Sequence, residues 1–258
     1  MRPCDRRCGS LAKDEAPLPR GIAVADATEW IRQTMRLVGD LFAYVWSGRD
    51  NNCNSYVLAG VLKDDRHVVI DPGHVTTPAL REPGLQILLE RMEDDGIDPR
   101  AIGLVLLTHF HPDHSEAANV LREKTRALVA LHEAEADLYS RFGGKLDLLL
   151  GEGDLDLGTE APLRLTVFHS PGHSPGHTTL YWPQEKVLIA GDLIFYRSTG
   201  RVDLPGGDPR ALKSSIDRLS ELDIEYVLCG HPYGHSGIIE GVDEVRQNFE
   251  FLRTHILF

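Results

Sequence analysis

Apolar residues along this chain gather into short runs separated by turn-forming residues, and the spacing of the runs changes along its length. Leu37 to Trp46 and Cys53 to Leu62 are rich in Val, Leu, Tyr and Phe and predict strands, with a turn over Ser47-Gly48-Arg49-Asp50-Asn51-Asn52. His67 to Ile70 predicts a short strand stopped by Asp71-Pro72-Gly73. Leu85, Leu88, Leu89 and Met92 recur at helical spacing, and Gly96 ends that helix. Ile102 to Leu107 predicts a strand and Ser115 to Lys124 the helix after it. Ala127 to Leu131 predicts a strand, and His132 to Arg141 a helix ending at Gly143-Gly144. Strands are predicted at Leu163 to Phe168, Thr178 to Trp182, Lys186 to Ala190 and Tyr226 to Cys229, with a helix over Pro209 to Leu222. Val242, Val245, Phe249, Leu252 and Ile256 form the apolar stripe of a last amphipathic helix.

The early strands come as hairpins and the later ones alternate with helices. That order predicts two packed sheets with helices outside, rather than one doubly wound parallel sheet. Residues 1–33 read as a polar leader with one helical turn near Thr28 to Arg32, and residues 34–258 as the folded domain.

A length of 258 residues suits one large domain or two small ones. The net charge of −12 argues against non-specific binding to nucleic acid or to an anionic membrane. No apolar run is long enough to span a bilayer, and the N-terminal segment lacks the apolar core of a secretory signal. Four cysteines, two of them (Cys4 and Cys8) in the polar leader, argue against a disulfide framework, so a reducing cytoplasm is the expected location.

The segment that carries chemistry is Thr108-His109-Phe110-His111-Pro112-Asp113-His114, directly after the apolar run Ile102 to Leu107. Imidazole and carboxylate are the ligands of Zn²⁺, Fe²⁺ and Mn²⁺ in hydrolytic and oxygen-handling sites. Strand ends that run into loops are where α/β folds hold such groups. Three further strand ends repeat the arrangement: His173 after Leu163 to Phe168, Asp192 after Lys186 to Ala190, and His231 after Tyr226 to Cys229. Each is preceded by a glycine, which lets the backbone turn tightly beside a ligand cluster. Any one of them alone would read as a capping or core residue. The repetition points to a metal site.

These motifs resemble the metallo-β-lactamase superfamily and, within it, the glyoxalase II-like hydrolases. The signatures occur in order: Asp71 in Ile70-Asp71-Pro72-Gly73, His109-x-His111-x-Asp113-His114, Pro171-Gly172-His173-Ser174, Gly191-Asp192 and Gly230-His231. The resemblance covers about residues 37 to 258 and implies a four-layer αββα sandwich with a dinuclear site between its sheets. It implies that His109, His111 and His173 bind one divalent metal ion, that Asp113, His114 and His231 bind the other, and that Asp192 bridges them. Zinc is the expected metal, with iron or manganese as alternatives. A metal-bridging hydroxide would attack the substrate, with Asp113 and Asp192 as catalytic carboxylates. His177, in the following Pro-Gly-His, is expected beside the ligands without binding metal. His74, His169 and His235 are expected in loops.

The segment after Asp192 resembles glyoxalase II-like enzymes and persulfide dioxygenases alike. Arg201 stands where glyoxalase II places the basic residue that holds a carboxylate of glutathione, and a guanidinium suits that task. A salt bridge from Arg201 to Asp203 is the competing expectation. Asp203 replaces an aromatic residue of glyoxalase II, and 27 residues follow His231 where full-length glyoxalase II carries a longer helical domain. The expected substrate is a small-molecule thioester of the hydroxyacylglutathione type. The alternatives are a mononuclear non-haem iron persulfide dioxygenase using His109, His173 and Asp192, and a lactonase on the same site. A histidine at the place of His177 matches the hydrolases, and the dioxygenases commonly differ there.

Overall fold

The structure, a computed structural model, describes residues 35–46, 49–158 and 163–257. The polar leader, the helical turn expected in it, Cys4 and Cys8 lie outside the described residues. The first sheet has seven strands in chain order: β1 (Met35–Val38), β2 (Leu41–Tyr44), β3 (Ser55–Leu58), β4 (His67–Ile70), β5 (Ile102–Leu106), β6 (Leu128–His132) and β7 (Leu148–Leu150). Its first four strands pair antiparallel, and β4 to β7 pair parallel. The second sheet contains β8 (Gly153–Leu157), β9 (Leu163–His169), β10 (Thr178–Trp182), β11 (Val187–Gly191), β14 (Tyr226–Cys229) and β15 (Ile238–Glu240), side by side in that order. Between β11 and β14 in the chain, β12 (Ile194–Phe195) and β13 (Ser198–Thr199) form a small hairpin.

Alternation along the strands explains the layering. Val68, Ile70, Leu104 and Leu106 of the first sheet share one buried cluster with Leu165, Val167, Leu180, Val187, Ile189 and Leu228 of the second. The intervening residues point outward. Val69 and Val105 pack beneath α1 (Gly84–Asp94) and, past the short α2 (Pro112–Ser115), α3 (Ala118–Thr125), with Tyr139 of α4 (Ala136–Arg141) in the same cluster. Leu188, Ala190 and Val227 pack beneath α5 (Pro209–Leu219) and α6 (Val242–His255). Both faces of both sheets are covered, so their central strands read as unbroken apolar runs. The result is the αββα sandwich.

Several elements differ from the sequence reading. Leu37 to Trp46 is not one strand: the chain reverses at Gly39, whose φ of +54° a glycine adopts without strain, and β1 and β2 pair across that turn. The helix predicted from Ser115 begins at Pro112, whose fixed φ suits a first helical position, and is interrupted before α3. Strands β7, β8 and β15 and the β12–β13 hairpin are additional. In β8, Gly-Asp-Leu-Asp-Leu is a polar edge strand with only Leu157 fully inside. The stripe on α6 is buried at Val245, Phe249 and Leu252, but Val242 and Ile256 at its ends are 39% and 42% exposed. Among the described residues, no helix is long and apolar enough to cross a membrane.

Strand direction positions the site. β4 and β5 run parallel, and so do β11 and β14, while β9 is reversed twice relative to β11 and therefore points the same way. The carboxyl ends of these five strands carry Asp71, the His109–His114 segment, His173, Asp192 and His231. Main-chain hydrogen bonds join the two sheets there: Thr178 N–H donates to Thr108 O at 2.9 Å and Asn54 N–H to Gly230 O at 2.7 Å.

Candidate metal centre

The structure brings the seven residues singled out at the strand ends into one cluster. The donor atoms of His109, His111 and His173 lie within 4.8 Å of one another, and so do those of Asp113, His114 and His231. A third set, His109, His114 and Asp192, takes one member from each and joins them through the carboxylate. Asp192 reaches both sides. Its Oδ1 is 3.1 Å from His114 Nε2, and its Oδ2 is 3.4 Å from His231 Nε2 and 3.7 Å from His173 Nε2. Two pairs of ring nitrogens face each other directly, His111 Nδ1 with His173 Nε2 at 2.9 Å and His114 Nε2 with His231 Nε2 at 3.3 Å.

Neighbouring groups aim the rings. His114 Nδ1 donates to Asp71 Oδ2 at 2.9 Å, which turns its Nε2 inward. Thr108 also holds Asp71, donating from its backbone N–H at 2.8 Å and from its hydroxyl at 2.6 Å. With that hydroxyl proton on Asp71, His109 Nδ1–H donates to Thr108 Oγ1 at 3.0 Å, and its Nε2 faces the cluster. His173 Nδ1 donates to Arg201 O at 2.7 Å with the same effect. Such bonds fix tautomer and ring orientation at metal sites.

Burial, and then the charges of His114, His173 and His111, hold His109 well below the ordinary imidazole value. Burial together with His173 pulls His111 down to about 4. Burial also pulls on His231, but Asp192 and Asp113 outweigh it and raise it to about 9. Burial works against the charge on Asp192, yet His231 and His114 hold its carboxyl well below the usual range. The cluster therefore stabilises positive charge between two ionised carboxylates.

The buried donor atoms test whether a cation suits this place: His109 Nε2 has no hydrogen-bond partner, and Asp192 Oδ1 has only the 3.1 Å ion contact with His114. An unpaired buried polar atom costs about 1–3 kcal/mol. Lone pairs converging from imidazoles and carboxylates are what a divalent ion of the zinc or iron type binds. The residues present fit such ions.

Close packing also requires the glycines. A Cβ on Gly230 would lie 2.1 Å from Asp192 Oδ1. Gly191 has φ +51°, and a Cβ there would stand 2.7 Å from Thr108 Oγ1.

His177 is fully buried beside His109, with ring centroids 5.1 Å apart, and its Nε2 accepts the Asp192 backbone N–H at 3.2 Å. The side chain of Arg201 points elsewhere: its guanidinium forms a double hydrogen bond to Asp203 at 2.8 and 2.9 Å, with both groups exposed. The competing expectation for Arg201 is thus the contact observed. Of the loop histidines, His74 pairs with Glu116, His169 stacks on His132, and His235 stacks on Tyr196. None belongs to the cluster.

Four contributors escaped the sequence reading. Glu135 is buried and accepts from Phe110 N–H (2.9 Å), Ser174 Oγ (2.6 Å) and Gly176 N–H (2.7 Å), tying the His109–His111 segment to the His173–His177 loop. Tyr56 OH and Asn54 Nδ2 both donate to Cys229 O and so anchor the end of β14. Tyr233 stacks on His231 with centroids 4.9 Å apart while remaining 56% exposed.

A sandwich of this topology with this cluster at its strand ends defines a metallo-hydrolase class. The family profile of the metallo-beta-lactamase superfamily matches residues 48–231, and the chain belongs to that superfamily. The probable metallo-hydrolase YqgX of Bacillus subtilis (strain 168) is 33% identical over 198 residues, which is 69% of this chain and 84% of that protein. A hydroxyacylglutathione hydrolase of Bartonella henselae is 35% identical over 136 residues, 52% of this chain and 51% of that one, so the match spans about half of that relative. Among solved structures, TTHA1623 in a di-iron-bound form is 34% identical with a TM-score of 0.55, and the match covers 70% of this chain and 88% of that one.

Proposed function

We propose that this chain is a binuclear metal-dependent hydrolase that cleaves a thioester of the hydroxyacylglutathione type. The observation that carries the reading is the pair of three-residue donor sets joined through Asp192. His109, His111 and His173 are assigned to one ion, Asp113, His114 and His231 to the other, and Asp192 to both. Zinc is the first choice of metal, and the di-iron form of a relative makes iron the concrete alternative. When bound, two such ions lower the pKa of water toward neutrality and stabilise oxyanion charge.

The chain's own residues supply the rest. Burial opposes the charge on Asp113, but His231 and His114 hold its carboxyl low, so it stays ionised and can accept a hydrogen bond from an attacking water. Asp71, Thr108 and the Arg201 carbonyl keep the imidazoles aimed. A thiolate leaves with little need of protonation, since a free thiol has a pKa of about 8.5. The site therefore needs no separate strong acid.

The test is thiol release from lactoylglutathione and other thioesters by metal-loaded protein. Release no faster than in the metal-free control overturns the thioester reading. Oxygen uptake with glutathione persulfide is the companion assay, because an iron dioxygenase would consume oxygen and a hydrolase would not. A lactone substrate belongs in the same panel.

Two variants probe the assigned roles. Asp71→Asn keeps the shape but weakens the acceptor for His114 Nδ1–H. We expect a loss of about 10- to 100-fold in metal affinity or activity, the range for groups that orient metal ligands. Competition against a chromophoric chelator measures it, and unchanged affinity and turnover would remove Asp71 from this role. Arg201 is assigned a substrate carboxylate, which must take the place of Asp203 on its guanidinium. Because one carboxylate replaces another in solvent, Arg201→Ala should raise KM by only about two- to fivefold for a carboxylate-bearing thioester, within the range of an exposed ion pair. KM for a neutral thioester should not change. Equal loss on both substrates would make Arg201 purely structural.

A further inference from the structure

A cleft of about 480 Å³ opens directly beside His231, lined by Arg49, Asp50, Asn51 and Asn52 on one side and by Pro232, Tyr233 and Gly234 on the other. This volume falls within the range that takes a small molecule. We propose that this cleft receives the substrate arm that leaves the metal centre on the His231 side, and that Arg49 binds a carboxylate on that arm. The inference rests on the hydrolase reading and extends it to the substrate's chemistry: a thioester whose thiol half carries a second carboxylate besides the one assigned to Arg201.

The wall that presents Arg49 is built, not loose. Asp50 Oδ2 accepts the backbone N–H groups of Ala79 (3.1 Å) and Leu80 (2.6 Å), and Asn52 Oδ1 accepts that of His74 (2.7 Å). The loop before β3 is thereby fastened to the loop after β4, whose Asp71 aims His114. Asp50 stays ionised, its pKa lowered by a Thr77 side-chain bond and by backbone N–H groups. The guanidinium of Arg49 has to outweigh that charge when it binds an anion. The cleft's remaining polar groups, the Arg49 guanidinium, the Asn51 amide and the Tyr233 hydroxyl, can all donate hydrogen bonds. Arg49 lines this cleft, and Arg201 does not.

Arg49 is paired with Glu82, and this pairing makes the idea testable. The Arg49 side chain is 67% exposed, whereas Glu82 is 16% exposed and its second oxygen, Oε2, is buried without a hydrogen-bond partner. Glu82 competes with a substrate carboxylate for the guanidinium. Removing Arg49 and removing the charge of Glu82 should therefore act in opposite directions. A pair that merely braces the two loops would make both changes harmful alike.

The experiment compares wild type, Arg49→Ala and Glu82→Gln, each metal-loaded. The substrates are thioesters of one hydroxyacyl group on glutathione, which carries two carboxylates, on mercaptoacetate, which carries one, and on a neutral thiol. We expect Arg49→Ala to raise KM for the glutathione thioester by about two- to fivefold, because the substrate carboxylate takes the place of Glu82 on an exposed guanidinium. Glu82→Gln should lower it by about two- to fivefold, the strength of an exposed ion pair. The neutral thioester, kcat and metal content should be unchanged in both variants. Calorimetry with S-methylglutathione, a thioether that cannot be hydrolysed, should give the same opposite shifts in affinity. If the wild type cleaves thioesters but both variants shift KM in the same direction, or shift the neutral thioester equally, the Arg49 inference falls and the hydrolase reading stands. If no thioester is cleaved, the hydrolase reading falls, and the calorimetry judges Arg49 by itself: no S-methylglutathione binding, or equal binding by wild type and Arg49→Ala, overturns it.

Discussion

Asp192→Ala is expected to leave a folded protein that holds fewer than two metal ions and turns over substrate roughly a thousandfold more slowly. Asp192 follows Gly191 at the end of β11 and reaches donors of both three-residue sets, His114 at 3.1 Å and His231 and His173 at 3.4 and 3.7 Å. Removing it deletes the one carboxylate assigned to both ions, so two dications would face each other with less compensating charge. Binding at one set should then oppose binding at the other. The activity estimate follows from losing several kcal/mol of metal-supplied stabilisation, at about 1.36 kcal/mol for each factor of ten. The fold should survive, because Asp192 belongs to the polar cluster and the cores of β11 lie at Val187, Leu188, Ile189 and Ala190. Elemental analysis after dialysis reads the metal count, and circular dichroism with thermal melting reads the fold. Two ions retained at full occupancy would contradict the bridging role.

The site was far more legible in the sequence than the frame around it. Buried strands whose two faces are both covered must be apolar throughout, so β4, β5, β11 and β14 stand out as runs, and a polar residue just past each run stands out too. Glycine before a ligand was a further mark, and its reason is steric: at Gly230 no side chain fits against Asp192. Elements at the margins are weaker signals. β8 pairs on one side only and carries Asp154 and Asp156, so its pattern resembles a loop. β1 and β2 merge into one apolar run because the turn at Gly39-Asp40 is only two residues long. Arg201 shows the other limit: the resemblance singled out its side chain, but it is its carbonyl that holds His173, and the direction of the guanidinium depended on Asp203 beside it. Contacts between residues remote in the chain leave no local trace. Tyr56 on Cys229 O and Glu135 on Ser174 are of that kind.

Glu135 carries the second large expected effect. A glutamate at the start of a short helix reads as surface by default, since Glu is almost never fully buried without partners. Here it has them: Phe110 N–H, Ser174 Oγ and Gly176 N–H surround a carboxyl that burial pushes above its ordinary value. The three donors pull in the opposite direction and favour the ionised acceptor. Glu135→Ala would strand two buried backbone N–H groups, while the Ser174 hydroxyl can turn to another acceptor. At about 1–3 kcal/mol for each unsatisfied group, we expect a loss near 3 kcal/mol. For a chain of this size that lowers Tm by roughly 6–12 °C. Activity should fall further than stability alone explains, because the carboxyl joins the segment carrying His109 and His111 to the loop carrying His173. Releasing that joint lets three donors of one set drift apart. Glu135→Gln keeps the volume and one oxygen acceptor but turns an amide N–H₂ toward one of the donors, so it should lose about half as much stability and retain more metal. Thermal melting and metal titration of both variants separate the outcomes. A melt within 2 °C of wild type for Glu135→Ala, on the same scale of roughly 2–4 °C per kcal/mol, would mean that water satisfies those donors and that Glu135 is not what holds the two loops together.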